Sequence, residues 1–431
     1  MKNDKKSDDI SLLGKIFLFF HSVWGKIKSI KLVERVKNRQ KELAHYEGLS
    51  SPREARISYG FGIAKVICAT ALAVVLLISV LLGGNIISYE NVYYMVKDIG
   101  YIHSYTETRP ETLNFSEPVS NQNFGIFKGG LAVASDSEVK FFTSTGRVTM
   151  TQGSDYTNPK ITCSDGNALI YDQGRKLLTV YNSFIEVYAE ELEYPISSAH
   201  MCDNGSFVVV TKSRKYNSVV RIYDNDFTFE MEYSKNDYVL SARMSKDGRY
   251  VSVLSIDTES GESKVSLNVI DRKRQEVCAS VGTNGVMPYS CEFISNDTMV
   301  VLCQDRVCIY NVNGDLKKET FLSGTLTRAS FSDYGFAVIL RKGGGSEGTV
   351  SVFDDSGKNI FFTSVAGDVI DIALTESNVY LLLDGAVLRI DLKTGHQTKV
   401  GFQNDGVRIL AFETGEVMVC TPASAHYLSF D

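Results

Sequence analysis

The chain has 431 residues, of which 44% are hydrophobic and 22% charged, enough for one large domain or two to three ordinary ones. Its net charge of −6 hides an asymmetry: residues 1–65 carry 14 Lys and Arg against 7 Asp and Glu, whereas the rest of the chain carries 31 against 44. The acidic main part argues against general nucleic-acid binding, which needs clustered Lys and Arg, so we expect no nucleic-acid partner.

The first predicted element is a basic amphipathic helix over residues 10–31, inside a tail that spans residues 1–61. Its apolar residues recur at helical spacing and lysines lie between them. We expect this helix to lie in the headgroup layer of a membrane, with lipid as its partner; the alternative is packing on another protein. The side chains expected to contact the membrane are Phe17, Phe20, Trp24, Lys15, Lys26 and Lys28.

A transmembrane helix is predicted over residues 62–84. Val66 to Tyr89 contains no charged residue, and about 20 apolar residues cross the hydrocarbon layer. Lys65 precedes this stretch and Glu90 is the first charge after it, so the positive-inside rule predicts a cytoplasmic tail and a main domain outside the cell membrane. A buried core helix and a cleavable signal peptide fit this length and charge pattern less well. Residues 85–110 are then a juxtamembrane linker.

From about residue 124, short β-branched and aromatic runs alternate with Gly, Asp, Asn and Ser turns, which is typical of strands. An apolar or aromatic residue followed by a small polar one recurs at successive spacings of 39, 42, 47, 40, 43, 37 and 40 residues. We call these the strand-end pairs: Phe142-Thr143, Tyr181-Asn182, Tyr223-Asp224, Ile270-Asp271, Tyr310-Asn311, Phe353-Asp354, Ile390-Asp391 and Phe430-Asp431. We expect the apolar member to pack between sheets and the polar member to begin a turn.

A second corner, such as Asp165-Gly166 or Asp247-Gly248, lies upstream of most strand-end pairs, with strands between the two landmarks. Four strands in roughly 41 residues indicate an all-β propeller of four-stranded antiparallel blades. A pair of β-sandwiches and a β-helix are the alternatives. The spacing favours eight blades over seven, but the eighth lacks an outer strand. Because an unpaired edge is an aggregation hazard, we expect residues 111–118 to supply it, within a propeller domain at 111–431.

A basic tail, one membrane segment, a Tyr-rich stretch ending in Lys97-Asp98 and corners such as Phe353-Asp354 together resemble a family of uncharacterised, membrane-anchored β-propellers from Gram-positive anaerobes. The resemblance covers most of the chain and implies no enzyme motif. The repeats are also similar to those of WD-repeat and quinoprotein-like propellers. Trp24 is the only tryptophan, so the Trp-Asp dipeptide and the tryptophan docking motif of those families are absent and no quinone cofactor is implied.

A search for catalytic, cofactor-binding and metal-binding residues identifies none. Gly344 to Gly348 matches the Gly-x-Ser-x-Gly pattern of hydrolases, but it falls in a predicted hairpin loop rather than at a strand-to-helix elbow. His200 falls on a predicted innermost strand, where it could face the central channel. The acidic run from Asp257 to Glu262 lacks the oxygen spacing of a calcium loop.

Cys303 and Cys308 are the candidate disulfide. If Asp305-Arg306 forms a two-residue hairpin turn, the two cysteines lie directly opposite each other on neighbouring strands. Buried free thiols are the alternative.

These observations favour an extracytoplasmic binding scaffold or sensor that holds an envelope protein or a ligand on the propeller face. The alternative is an extracytoplasmic enzyme acting on glycans or peptides. Such an enzyme needs His, Arg and carboxylate side chains that converge at the channel mouth.

Overall fold

The computed structural model describes residues 65, 68–70, 110–119, 123–257, 264–284, 287–341, 347–402, 405–412 and 415–430. The chain forms two units, residues 1–103 and 104–431. In the first unit, residues 65 and 68–70 are helical. The predicted amphipathic helix with its six membrane-contacting side chains, the rest of 62–84 and residues 85–109 lie outside the described residues. Among the described residues, no helix has the length and apolar character needed to span a membrane.

In the described part of the second unit, 32 strands form eight four-stranded antiparallel sheets, which we call blades. Strand β1 spans Thr112–Asn114. Blade 1 contains β2 Phe124–Phe127, β3 Gly130–Ala134, β4 Glu138–Phe142 and β5 Val148–Gly153. Blade 2 contains β6 Pro159–Cys163, β7 Ala168–Asp172, β8 Leu177–Tyr181 and β9 Glu186–Glu191. Blade 3 contains β10 Ile196–Met201, β11 Phe207–Thr211, β12 Ser218–Tyr223 and β13 Phe229–Lys235. Blade 4 contains β14 Tyr238–Met244, β15 Tyr250–Asp257, β16 Lys264–Asp271 and β17 Glu276–Asn284.

The same order continues through the second half of the ring. Blade 5 contains β18 Pro288–Phe293, β19 Thr298–Cys303, β20 Arg306–Asn311 and β21 Leu316–Phe321. Blade 6 contains β22 Thr325–Ser332, β23 Gly335–Arg341, β24 Glu347–Phe353 and β25 Asn359–Ala366. Blade 7 contains β26 Val369–Leu374, β27 Asn378–Leu383, β28 Ala386–Asp391 and β29 Gln397–Gly401. Blade 8 contains β30 Arg408–Ala411, β31 Val417–Cys420, β32 Ser424–Leu428 and β1.

Blade 8 closes the ring as predicted from the sequence. Its outer strand β1 pairs antiparallel with β32, with Thr112 opposite His426 and Asn114 opposite Ser424. A side-chain hydrogen bond joins Thr112 Oγ1 to His426 Nδ1 at 3.1 Å. The outer strand from residues 111–118 and the count of eight blades rather than seven are both confirmed.

The core consists of eight apolar clusters, one at each interface between neighbouring blades. The apolar members of the strand-end pairs from Phe142 to Ile390 are all buried. Each packs into the cluster shared with the preceding blade; Tyr223, for example, stacks on Phe207 between blades 2 and 3. The predicted packing of these residues is therefore confirmed.

The polar members of the strand-end pairs begin turns, as predicted. Asp224 Oδ1 accepts hydrogen bonds from the backbone N–H groups of Asp226 at 2.9 Å and Thr228 at 2.7 Å. Asp354 Oδ1 does the same for Ser356 and Lys358. The second corners are the turns between first and second strands. At one of them, Gly248 has a φ of +72° and donates its N–H to Ser245, a conformation that favours glycine.

Strand alternation divides the ring into two faces. The turns between second and third strands, such as 173–176, and the connections between blades, such as 192–195, share one side, which we call the loop face. The remaining turns, which include the strand-end pairs, share the other side. The functional features described below lie on the loop face or on the inner strands.

Candidate binding surface

The first strand of each blade lies innermost, since first strands of neighbouring blades contact one another, as β10 contacts β14 and β14 contacts β18. Five consecutive first strands carry a one-residue bulge near the loop face. The bulged residues are Ser197, Leu240, Tyr289, Thr327 and Ile370. A bulge leaves one residue unpaired and redirects its side chain, so these positions can present side chains to a ligand.

Large apolar side chains are exposed at this position of blades 4 and 5. Tyr238 and Leu240 of β14 are 46% and 37% exposed, and Met287 and Tyr289 at the start of β18 are 46% and 48% exposed. We call these four residues the apolar rim. Tyrosine and methionine are enriched in protein interfaces, and a clustered apolar patch on the surface is typical of an interaction site.

In blades 4, 6 and 7 the side chain of the residue after the bulge forms a hydrogen bond to the next blade. Ser241 Oγ donates to the carbonyl of Cys291 at 3.3 Å, and Arg328 Nε donates to the carbonyl of Ile370 at 2.8 Å. The buried Asp371 accepts a hydrogen bond from the N–H of Ile409 at 2.9 Å. These bonds join neighbouring inner strands, and the one from Ser241 fixes β14 to β18 directly beneath the apolar rim.

Seven of the eight inner strands each carry one side chain that is charged or is a histidine. They are Lys160, His200, Arg243, Glu292, Arg328, Asp371 and Arg408. Arg408 Nε lies 3.5 Å from Asp371 Oδ2. Burial raises the pKa of Asp371, although the nearby Arg408 charge acts to lower it. The inner wall thus has an excess of positive groups, whereas the chain beyond residue 65 is acidic overall.

Three of these side chains, His200, Arg243 and Glu292, occupy equivalent positions on blades 3, 4 and 5, three residues after the bulge. Arg243 Nε donates to both carboxylate oxygens of Glu292, at 2.8 and 2.9 Å. Burial lowers the pKa of His200 well below its usual value and the Arg243 charge lowers it further, so the imidazole is neutral at pH 7. Its Nδ1 atom is buried and finds no hydrogen-bond partner among the described residues.

The placement of His200 on an innermost strand is confirmed, since β10 begins blade 3. The last two residues of the Gly344–Gly348 pattern begin strand β24, so a strand and not a helix follows the serine position; its first three residues lie outside the described residues. Sequence reasoning missed Arg243, Glu292 and Asp371. The signal that could have identified them is a single charge inside an otherwise apolar or small-residue first strand.

The two candidate disulfide cysteines are buried on neighbouring strands of blade 5, but their predicted register is wrong. The hairpin turn is Gln304-Asp305, so Val301 lies opposite Cys308, and the cysteines are diagonal neighbours. A shift of the turn by one residue, which moves the pairing register by two residues, explains the difference. Both are free thiols. A hydrogen bond with Cys308 and burial raise the pKa of Cys303, and the disulfide stays a prediction.

Cys303 and Cys308 line a cavity of about 250 Å³ between blades 4 and 5. Aliphatic side chains, among them Leu267 and Val301, form most of its wall. In the part of the chain that the structure describes, no group of three or more His, Cys, Asp or Glu side chains is arranged to hold a metal ion.

The fold and its closure define the chain as an eight-bladed β-propeller. Residues 101–428 match the model of a family of unknown function, DUF5711, and the chain belongs to that family. No curated protein matches it. Two solved structures are similar in fold. They are Sqt1 of Saccharomyces cerevisiae, with a TM-score of 0.57 and 10% identity, and BamB of Moraxella catarrhalis, with 0.51 and 12%. Each alignment covers 75% of this chain and 99% of the other.

Proposed function

We propose that the propeller is a protein-binding scaffold of the cell envelope, held at the membrane by residues 62–84. The observation that carries this proposal is the apolar rim, which places two tyrosines, a leucine and a methionine on adjacent inner strands of one face. Tyrosines are among the residues that most often dominate the binding energy of protein interfaces, and methionine is enriched in such interfaces.

The rim is not needed to hold the ring together. The interface between blades 4 and 5 is formed by a separate buried cluster that includes Leu254, Leu267 and Val301. A partner that covers the rim would remove about half of each rim side chain from water. At roughly 25 cal/mol per Å² of apolar area, that burial favours association without any change in the fold.

Site-specific photocrosslinking in cells tests the scaffold role. A benzophenone amino acid replaces Tyr289 in one variant and Phe229 in a control; Phe229 is 44% exposed but lies on the outer strand β13. We expect a discrete protein adduct from position 289, lost when Leu240→Ala and Met287→Ala are added. Equal adducts from both positions, or none from position 289, would contradict the proposal.

The membrane topology is tested separately with reporter fusions. The uncharged stretch from Val66 to Tyr89 and the basic residues before it support an outward-facing propeller. Alkaline phosphatase, which is active only outside the cytoplasm, should be active when fused after residue 110 and inactive when fused after residue 61. The reverse pattern would place the propeller inside the cell.

A second candidate function is enzymatic action on glycans or peptides, and the row of His200, Arg243 and Glu292 favours it. A neutral imidazole with a free ring nitrogen can accept a proton. Both carboxylate oxygens of Glu292, however, already accept hydrogen bonds from Arg243, so Glu292 is engaged within the wall rather than presented to a substrate. Cleavage of envelope glycan or peptide fragments by the purified full chain, measured by mass spectrometry and lost in His200→Gln, would favour the enzyme over the scaffold.

A further inference from the structure

A second cavity, of about 150 Å³, lies at the loop face between blades 6 and 7. Two guanidinium groups, from Arg328 and Arg341, line it together with Thr327. Gly348 and Gly367 contribute backbone only, and Ile339 and Val369 complete the wall. Two arginines, a hydroxyl and open backbone in a space of this size are typical of a site for an oxyanion.

Arg328 is oriented but not neutralised. Its Nε donates to the carbonyl of Ile370 at 2.8 Å, and its Nη1 donates to the carbonyl of Thr327 at 2.9 Å. No carboxylate among the described residues lies within ion-pair distance of it, unlike Arg243 and Arg408 on the inner strands of blades 4 and 8. The guanidinium is therefore oriented by neutral carbonyl groups. Its charge also acts on Asp371 of blade 7, but it forms no ion pair with that carboxyl and can still pair with a ligand.

Arg341 already shows which ligand chemistry this pocket accepts. Its Nη2 forms an ion pair with Asp368, a residue in the connection between blades 6 and 7. The Asp368 side chain is 64% exposed, so an exposed ion pair of this kind is weak and exchangeable. A carboxylate from outside can replace Asp368 and bind both arginines, whereas Asp368 pairs with Arg341 alone within the described part of the chain.

The pocket lies on the same face of the ring as the apolar rim, at an equivalent strand position. Thr327, which lines it, is the bulged residue of β22 and is equivalent to Leu240 and Tyr289 in blades 4 and 5. We infer that the pocket between blades 6 and 7 binds a carboxylate of the protein partner, an acidic side chain or the chain terminus, while apolar side chains of that partner cover the rim. This inference rests on the proposed scaffold function.

The test uses the full chain in mild detergent and a fluorescein-labelled peptide of eight glutamates, with binding followed by fluorescence anisotropy. Arg328→Gln should weaken binding at least about tenfold, because it removes a fixed charge from the pocket. Arg341→Gln should weaken it as well. The matched control is Arg175→Gln, on an exposed loop-face turn of blade 2. It should change affinity less than about twofold, as expected for a peripheral charge. Thermal unfolding of each variant confirms that the fold is intact.

Asp368→Asn gives the discriminating result. Removing the competing carboxylate should tighten peptide binding by about threefold or more. If the peptide were bound only by general electrostatic attraction, removal of any other acidic residue would have the same effect. Asp384→Asn, in a loop-face turn of blade 7, is therefore the matched control. Equal effects of Asp368→Asn and Asp384→Asn, equal effects of Arg328→Gln and Arg175→Gln, or no peptide binding would overturn the inference.

Competition identifies the source of the carboxylate. Potassium acetate at millimolar concentration, compared with potassium chloride at equal ionic strength, should leave the peptide bound. Complete displacement by acetate alone would assign the pocket to free small carboxylates and overturn the partner assignment. The two proposals fail separately. If crosslinking at position 289 persists while Arg328→Gln has no effect, the carboxylate-pocket inference fails and the scaffold proposal stands. If Arg328→Gln weakens peptide binding but position 289 gives no crosslink, the rim is not the binding surface.

Discussion

Blade 4 has two faces that are stabilised in different ways. Toward blade 3, Lys235 inserts its ammonium group among polar side chains and forms an ion pair with Asp237 Oδ2 at 2.8 Å. Its Nζ also donates to Ser255 Oγ, Ser266 Oγ and Asn268 Oδ1, at 2.7, 2.7 and 2.8 Å. Toward blade 5, blade 4 presents aliphatic side chains such as Leu254 and Leu267, next to the cavity of about 250 Å³.

Both faces contain an apolar cluster, but the face toward blade 3, which we call the polar face, adds this ion-pair network, whereas the face toward blade 5, the apolar face, borders a cavity. The polar face has directional bonds, so a group removed there leaves several buried partners unsatisfied. The apolar face has directional bonds at its inner strands, where Ser241 and Arg243 bond to blade 5, but farther out it borders an unfilled space, at the cost of lost dispersion contacts. Substitutions on the two faces should therefore change the free energy of unfolding by different amounts and with different pH dependence. Added side-chain volume should stabilise only the apolar face.

The largest effect is expected from Lys235→Met, which removes the cation from Asp237 and from three polar side chains, two of which, Ser255 and Asn268, are buried. Removing one partner of a mostly buried ion pair destabilises by about 3–5 kcal/mol. Urea unfolding of the full chain should show this loss. Lys176→Met, at an exposed turn, is the control and should change the free energy of unfolding by less than about 0.5 kcal/mol. A similar effect of both substitutions would mean that the network is not stabilising.

A smaller loss is expected from Leu267→Ala on the apolar face. Leu267 is 3% exposed and lines the cavity, so truncation enlarges a space that the neighbouring strands cannot close. We expect a loss of about 3 kcal/mol by urea unfolding. The variant should also bind small apolar molecules such as benzene more tightly than wild type, by NMR titration. Absence of both effects would mean that the blades collapse into the space.

The stability that the Lys235–Asp237 pair contributes on the polar face should depend on pH. Burial raises the pKa of Asp237, but its hydrogen bond with Lys235 and the Lys235 charge outweigh this, so the net pKa lies below its usual value. A carboxyl with a lowered pKa in the folded state contributes stability above its unfolded pKa of about 3.9 and loses it as the pH falls through the folded value. The difference in stability between wild type and Lys235→Met should therefore shrink below about pH 4. A constant difference down to pH 2 would contradict the assignment.

The smallest effect is a gain. Val301→Ile adds one methylene group next to the cavity and should stabilise by about 0.8 kcal/mol. Val253→Ile is the matched control on the other face of blade 4, where Val253 is fully buried. Overpacking there should destabilise by about 1 kcal/mol. Equal signs for the two substitutions in urea unfolding would show that the faces do not differ in packing.

The sequence predicted the elements that repeat. The strand-end pairs fixed the number of blades because each pair has the same two physical roles, an apolar contact with the preceding blade and a side chain that begins a turn. The closing strand could be located because an open blade would leave an edge without hydrogen bonds. None of these steps needed a contact between particular distant side chains.

What sequence reasoning missed depends on single blades. Lys235 meets Asn268 across 33 positions of sequence, and both resemble solvent-facing residues of an amphipathic strand. Arg328 and Arg341 fall on neighbouring strands whose facing residues depend on a bulge at Thr327, which has no signature of its own. The cysteine register was wrong for a related reason, since Gln304-Asp305 and Asp305-Arg306 are equally suitable as turns.

The pairing of β1 with β32 also has a consequence for biosynthesis. Thr112 and His426 meet across 314 positions of sequence, so the first strand of the ring is synthesised long before its partner. At about 5–20 residues per second, β1 waits roughly 15–60 s for β32 to emerge. Its length of three residues limits what it can pair with during that interval. Ring closure thus waits until β32 has been synthesised, and a product that stops before β32 leaves blade 8 open.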